Sequence, residues 1–330
     1  MIRERVMDQK AFDRPLHVVH GIPLDCVGLE GAMAVIDRAI SAREPLLLST
    51  PNMNFYTLAR HNAAFRQSLF ASGLCLADGA PVVALARWAG VPLPGRVAGS
   101  DLFEALRDRS AAIPVKVYLF GGPQGAAEKA AAALNASAKG VTCVGWASPG
   151  FGSIAEMSTD AILSGINASG ADMLVIALGA QKGQAWLMHN AARLTVPVRT
   201  HLGAVVNFEA GTVARAPALY RKLALEWLWR VQQEPRLAAR YRDDAVTLAR
   251  LFTTRTLPGF FARARDSKML PDRIRAALVS GTLDCSGLGA LSTSDLGQIA
   301  ELKRRNGASL LLRNVSALLE QCLTINGLWP

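Results

Sequence analysis

Leu46-Leu47-Leu48-Ser49-Thr50-Pro51-Asn52-Met53-Asn54 begins as a short apolar run and ends as a polar cluster. Its apolar part does not alternate with polar residues, so it predicts a strand buried on both faces, as in a parallel sheet. The pattern repeats downstream. A second strand closes on Ala77-Asp78-Gly79-Ala80-Pro81, and an apolar helix then leads into Pro94-Gly95-Arg96-Val97-Ala98-Gly99-Ser100-Asp101. Polar clusters at the ends of apolar strands are where an open α/β sheet places its ligand. Each cluster also has a plainer reading: Asn52 or Asn54 as a helix N-cap, and Asp78-Gly79 as a strand-ending turn.

Outward from this stretch the chain alternates strand and helix. Strands are expected at 46–49, 74–77, 115–120, 141–146, 173–178 and 198–201, after an N-terminal strand or hairpin at 18–27 and a helix at 29–42. Helices are expected at 55–70, 81–89, 101–112, 124–136, 154–168 and 183–194. This alternation predicts an α/β fold, a Rossmann-like and mostly parallel sheet with helices on both faces. Gly121-Gly122-Pro123-Gln124-Gly125 follows a strand and opens a helix, but proline stands where a dinucleotide fingerprint needs glycine. The loop could cradle a phosphate or simply be a tight turn with proline in the first helical turn.

The 330 residues are 51% hydrophobic and 19% charged, the composition of a folded chain. A formal charge of +10 implies an anionic partner: nucleic acid, a phosphorylated substrate or an acidic membrane surface. Only 6% of residues are aromatic and no basic-aromatic tract interleaves, so nucleic acid ranks last and is not expected. Cys26, Cys75, Cys143, Cys285 and Cys322 lie far apart without CxxC spacing, which predicts neither disulfides nor zinc and fits a reducing cytoplasm. The segment 1–14 mixes charges of both signs and does not read as a signal peptide. No uncharged apolar run approaches the ~20 residues of a spanning helix, so the expected location is cytoplasmic, in solution or on a membrane.

From Thr212 the character changes. Residues 212–265 hold ten arginines and one lysine against four acids, a net of +7, with Trp227 and Trp229 among the arginines. A basic amphipathic helix carrying tryptophans suits the headgroups of an anionic membrane; it also suits a solvated basic helix packed by its apolar side. Leu257-Pro258-Gly259 marks a boundary. The expected organisation is a sheet domain at 16–211, a basic helical appendage at 212–257 and a small α/β segment at 258–330.

The motifs gain weight from their order. Thr50-Pro51-Asn52, Asp78-Gly79, Arg96–Asp101, Leu178-Gly179-Ala180, His201-Leu202-Gly203-Ala204-Val205, Ala210–Pro217 and Leu225–Arg230 with Glu234-Pro235 follow one another. Together they resemble the bacterial WecG/TagA/CpsF glycosyltransferases (glycosyltransferase family 26) over about 16–241. That resemblance implies an inverting, metal-independent transferase without a cofactor. It would move a sugar from a UDP-sugar to a polyprenyl-diphosphate-linked saccharide, peripherally on the inner face of the plasma membrane, with homodimerisation as a family-level expectation. It implies Asp78 as catalytic base, Thr50 and Asn52 as substrate contacts, and Arg96 facing the diphosphate. It further implies Arg215, Arg230, Arg236 and Arg240 as substrate-binding arginines at or in the appendage.

Many members of this family carry Lys-Gln-Glu after the Gly-Ala motif, where this chain has Gln181-Lys182-Gly183-Gln184. The amide is either lost at Gly183 or supplied by Gln181 or Gln184. The Gly-Ala-x-Lys-Gly-Gln-Ala-Trp form and the run Arg199-Thr200-His201-Leu202-Gly203-Ala204-Val205 resemble the exopolysaccharide branch. That branch implies β-1,4 transfer of glucose, with N-acetylmannosamine transfer as the alternative. The segment from Asp284 to Val315 resembles part of a STAS domain and implies a phosphorylatable Ser286 at a helix start. A second class of function therefore stands beside the enzyme: a nucleotide- or lipid-sensing regulator acting through that tail. The failed glycine fingerprint disfavours an oxidoreductase.

Overall fold

Six apolar segments pair into one parallel sheet in the order β4-β3-β8-β7-β5-β6. They are β3 (Leu46–Ser49), β4 (Leu74–Cys75), β5 (Val115–Gly121), β6 (Val141–Ala147), β7 (Met173–Ala177) and β8 (Val198–His201). The computed structural model describes residues 14–137, 139–150, 152–217, 219–220, 225–256, 266–289, 291–306 and 310–329. Most of the N-terminal segment and the boundary at Leu257-Pro258-Gly259 lie outside the described residues.

Alternate residues of the central strands serve opposite faces, as strand geometry requires. Val117 and Leu119 of β5 and Met173 and Val175 of β7 join a core with α1 (Leu29–Ala42), α5 (Gly99–Asp108), α6 (Ala126–Ser137) and α9 (Gly203–Glu209). Tyr118, Phe120, Leu174 and Ile176 face the other way, against α7 (Asp160–Ala168) and α8 (Ala180–His189). There Phe120 packs on Trp186 with ring centroids 4.7 Å apart. Helices therefore cover both faces, the arrangement that the unalternating runs predict.

The helix expected at 55–70 is two. α2 (Met53–His61) ends at Asn62, whose extended backbone and side chain, accepting from the Phe65 N–H at 2.9 Å, start α3 (Ala63–Phe70). Phe55 and Phe65 then meet edge to face at 5.2 Å. The helix expected from residue 183 begins at Ala180, directly after Gly179 at φ 77. α4 (Ala80–Trp88) likewise follows Gly79 at φ 97. At both strand-to-helix turns only glycine takes the required backbone without strain.

The basic segment holds α10 (Glu226–Gln233) and α11 (Leu237–Leu251), followed by a π-turn at Phe252–Thr256. α11 docks on α2, where the Thr57 hydroxyl donates to Asp244 at 2.8 Å and Leu248 and Leu251 join the apolar cluster around Phe55. The C-terminal segment places α12 (Leu270–Ser280), β9 (Thr282–Asp284), α13 (Thr293–Asn306), β10 (Leu311–Arg313) and α14 (Ala317–Ile325) around a two-stranded parallel sheet.

The N-terminal residues form an antiparallel hairpin, β1 (Leu16–Val19) and β2 (Ile22–Asp25), turned by His20 and Gly21 at φ 51 and 86. Leu16 and Val18 share a core with the C-terminal segment, while Val19, Ile22 and Leu24 pack with α2, α3 and α4. The helix start expected at Ser286 is absent. Ser286 lies in a turn after β9, donating its hydroxyl to Asp284 at 2.6 Å, and the next helix begins at Thr293. A phosphate there would meet a carboxylate held to about 2 by hydrogen bonds from Ser286 and Asn314, not the favourable end of a helix dipole.

Candidate active site

The carboxyl ends of β3, β4, β5, β7 and β8 open into one cleft of about 1170 Å³. Backbone hydrogen bonds join the three polar clusters of the 46–102 stretch into a single wall. Leu76 donates to Ser49 at 2.9 Å, Asp78 to Pro51 at 2.9 Å, and Val97 to Ala77 at 2.9 Å. Thr50, Asn52, Asp78 and Arg96 therefore line the same space. α5 closes in behind them through Gly99, where a Cβ would fall 2.3 Å from Leu202 and 3.4 Å from Thr50. The opposite wall comes from the appendage, with Glu226, Trp227 and Arg230 of α10 and Arg240, Tyr241 and Arg242 of α11.

Asp78 keeps some water contact through the cleft, yet protein surrounds its carboxyl. That desolvation pushes its pKa from 3.8 up to about 7; Arg96 and Arg230 pull it down, and Glu226 and Asp101 add to the rise. A carboxylate poised near neutrality is suited to accept a proton at working pH.

Arg96 is already engaged: it donates to Asp101 at 2.8 Å and is paired with Glu226 of the appendage. A phosphate approaching Arg96 has to compete with both acids. Arg230 lies over the Phe208 ring at 5.5 Å and Arg240 over Tyr241 at 4.7 Å, and both line the cleft. The Arg240 Nε is buried without a partner.

Four expected contacts fall outside the cleft wall as described. Arg215 pairs with Asp101 and Glu104, bracing Asp101 from behind. Arg236 is exposed and paired with Glu234 at 2.7 Å. Gln181 is exposed, and Gln184 is buried on the sheet side of α8, donating to the Ser49 hydroxyl at 2.6 Å. Neither glutamine supplies an amide to the cleft. What fills the place beside Gly183 is the ring of His201: a Cβ at Gly183 would lie 2.5 Å from the histidine Cδ2.

Sequence reasoning passed over His201, Asn207 and Glu226 as site residues, though all three line the cleft. His201 and Glu226 stand inside the quoted motifs; Asn207 carries no local signal. Among the residues that line the cleft, Asn52 Oδ1, His201 Nε2 and Asn207 Oδ1 are buried without a hydrogen-bond partner.

Residues 17–259 match the sequence model of the Glycosyl transferase WecG/TagA/CpsF family. Among similar curated proteins is the N-acetylglucosaminyldiphosphoundecaprenol N-acetyl-beta-D-mannosaminyltransferase of Bacillus spizizenii, 28% identical over 198 residues. That alignment covers 60% of this chain and 73% of the relative.

Proposed function

The chain belongs to the WecG/TagA/CpsF glycosyltransferase family, and on that premise we propose that it transfers a hexosyl group from a UDP-sugar to a polyprenyl-diphosphate-linked saccharide, with inversion. The observation that carries this reading is Asp78, raised toward neutrality on one wall of a cleft whose other wall presents Arg230 and Arg240. The acceptor hydroxyl oxygen attacks the anomeric carbon while Asp78 takes its proton. The bond to the diphosphate breaks, and UDP leaves with its added charge held by guanidinium groups. Thr50 and Asn52 contact the substrates from the sheet side. Arg96 joins the arginines facing phosphate once Glu226 yields it.

Glucose in a β-1,4 linkage is the first donor assignment, supported by the Gly183 form of α8; the relative's name makes N-acetylmannosamine the second. Assay of a UDP-hexose panel against a synthetic polyprenyl-diphospho-sugar ranks them. Transfer only from UDP-N-acetylmannosamine would overturn the glucose assignment.

The same proposal places the protein on the inner membrane face in exopolysaccharide synthesis, as a peripheral enzyme and a homodimer, with working units at 16–211, 212–257 and 258–330. Support for the surface comes from the tryptophans Trp88 and Trp227, 44% and 47% exposed, and from exposed Arg236 and Arg242 in the appendage. No described helix is long and apolar enough to cross a membrane. Co-sedimentation with anionic but not zwitterionic vesicles is the expected result.

A pH consequence follows from the base. Only ionised Asp78 accepts a proton, so kcat/KM should rise tenfold per unit at low pH and level off above about 7. Glu226→Gln removes a negative neighbour that raises the Asp78 pKa and also frees Arg96, which lowers it. Both changes move the rising limb to lower pH. An unshifted limb in a folded Glu226→Gln protein contradicts the electrostatic assignment.

A further inference from the structure

His201 ends β8 with its ring packed over α8 and held between two glycines. A Cβ on Gly183 would meet the ring at 2.5 Å from Cδ2 and 3.0 Å from Cγ, and one on Gly203 would lie 3.2 Å from Nε2. A glycine inside a helix costs stability relative to alanine, so Gly183 needs a reason, and the ring supplies one. His201 lines the cleft, and its Nε2 is buried beside Gly203 with no hydrogen-bond partner. Burial lowers the His201 pKa to about 4, so the ring is neutral and offers one donor and one acceptor.

Beside Asp78 and Arg96, the sheet side of the cleft carries the neutral side chains of Asn52, His201 and Asn207, each with a buried polar atom that has no partner, while α10 and α11 bring Arg230 and Arg240. Guanidinium groups match phosphates. Neutral acceptors and an imidazole match uncharged hydroxyls, which both donate and accept. We infer that His201, seated by Gly183, is a specificity-determining residue that reads a hydroxyl of the hexosyl group being transferred. The inference rests on the transferase reading above and adds to it the residue that selects the donor. Asn52 and Asn207 hold other polar groups of the same uncharged moiety.

Two measurements on the full chain test it. In the first, wild type, His201→Ala and His201→Gln are compared with UDP-glucose, UDP-galactose, UDP-N-acetylglucosamine and UDP-N-acetylmannosamine on one polyprenyl-diphospho-sugar. His201→Ala should lower kcat/KM for the preferred donor about tenfold to a hundredfold and flatten the ranking of donors. UDP itself, titrated by calorimetry, should bind all three within about twofold, because its phosphates are held elsewhere. His201→Gln, which keeps a polar tip, should recover part of the rate.

In the second, Gly183→Ala should lower the Tm when His201 is present and raise it in a His201→Ala background, since the clash is gone and the helix preference remains. Full kcat/KM and an unchanged donor ranking in His201→Ala overturn the inference and leave the transferase reading standing. So does a parallel loss of UDP affinity, which would make His201 a nucleotide contact. A Gly183→Ala effect of the same sign in both backgrounds overturns the seating. A wild-type protein inert toward every UDP-hexose overturns the transferase reading as well.

Discussion

Asp78→Asn is expected to lower glycosyl transfer by about 10²–10⁴-fold, the usual loss when a positioned general base is removed. Asparagine keeps the shape and cannot accept the proton. The same substitution should stabilise the free protein at high pH. In the folded chain the Asp78 pKa is about 7, against an ordinary 3.8. The native state therefore holds a proton that an unfolded chain has already released. Stability attached to this group is complete below about 4 and is lost as pH rises through about 7. Asparagine never ionises, so the variant should match wild type below about pH 4, draw ahead as pH rises, and exceed it fully above pH 8. The gain is about 1–3 kcal/mol, less than the full shift implies because the carboxylate retains some water. Chemical denaturation of both proteins across this range checks the crossing. Equal stability at pH 8.5 would contradict the desolvated site, and full activity in a folded Asp78→Asn protein would remove the base assignment.

Arg14→Met is expected to destabilise the fold by about 3–5 kcal/mol, the cost of leaving a buried carboxylate without its partner. Arg14 donates to both oxygens of Asp25, at 2.5 and 2.6 Å, and to Glu301 of α13 at 3.1 Å. Asp25 is 1% exposed and also accepts the Cys75 N–H at 2.6 Å. Glu301 keeps Arg304 and Arg305, so Asp25 is the group stranded by the substitution. Pairing Arg14→Met with Asp25→Asn should recover a large part of the loss, because the remaining amide carries no charge. A loss below 1 kcal/mol in Arg14→Met would show that the pair does not hold the hairpin to the C-terminal segment. This site also explains how the first described residues reach the tail. Gly297 of α13 lies so close to Leu16 that a Cβ would fall 1.8 Å from its carbonyl oxygen.

The sheet was legible because its signal is local. Met173–Ala177 is buried almost throughout, and an unbroken apolar run of that kind reads as a parallel strand wherever it stands. Gly79 was legible for the same reason, as a strand-ending turn; Gly179 was not, since the helix it precedes was expected only from residue 183. Asn62 was harder. It ends one helix and caps the next, and Phe55 and Phe65 then meet across the break, a tertiary contact that periodicity does not carry.

Along the cleft, Thr50, Asn52 and Asp78 were readable as clusters at strand ends, and Arg96 as a cluster after an apolar helix. The partners of Arg96 were not, because Glu226 lies 130 residues away and meets it only through the docking of the appendage. Gln184 was misplaced because sequence does not say which face of α8 meets the sheet; Gly183, Gln184, Trp186 and Leu187 are its buried side. His201 was quoted as part of a motif but not as a site residue. Its role depends on the space left by Gly183 in a separate helix, and that space is a property of the packed sheet alone.

The central claim is that this cleft performs an inverting displacement with Asp78 as base and arginines on the leaving diphosphate. The most direct measurement is the anomeric configuration of the product, read by NMR after wild-type protein is given a UDP-α-hexose and a synthetic polyprenyl-diphospho-sugar. The account predicts a β-linked product together with released UDP. An α-linked product, or no transfer from any UDP-hexose to that acceptor, would contradict it.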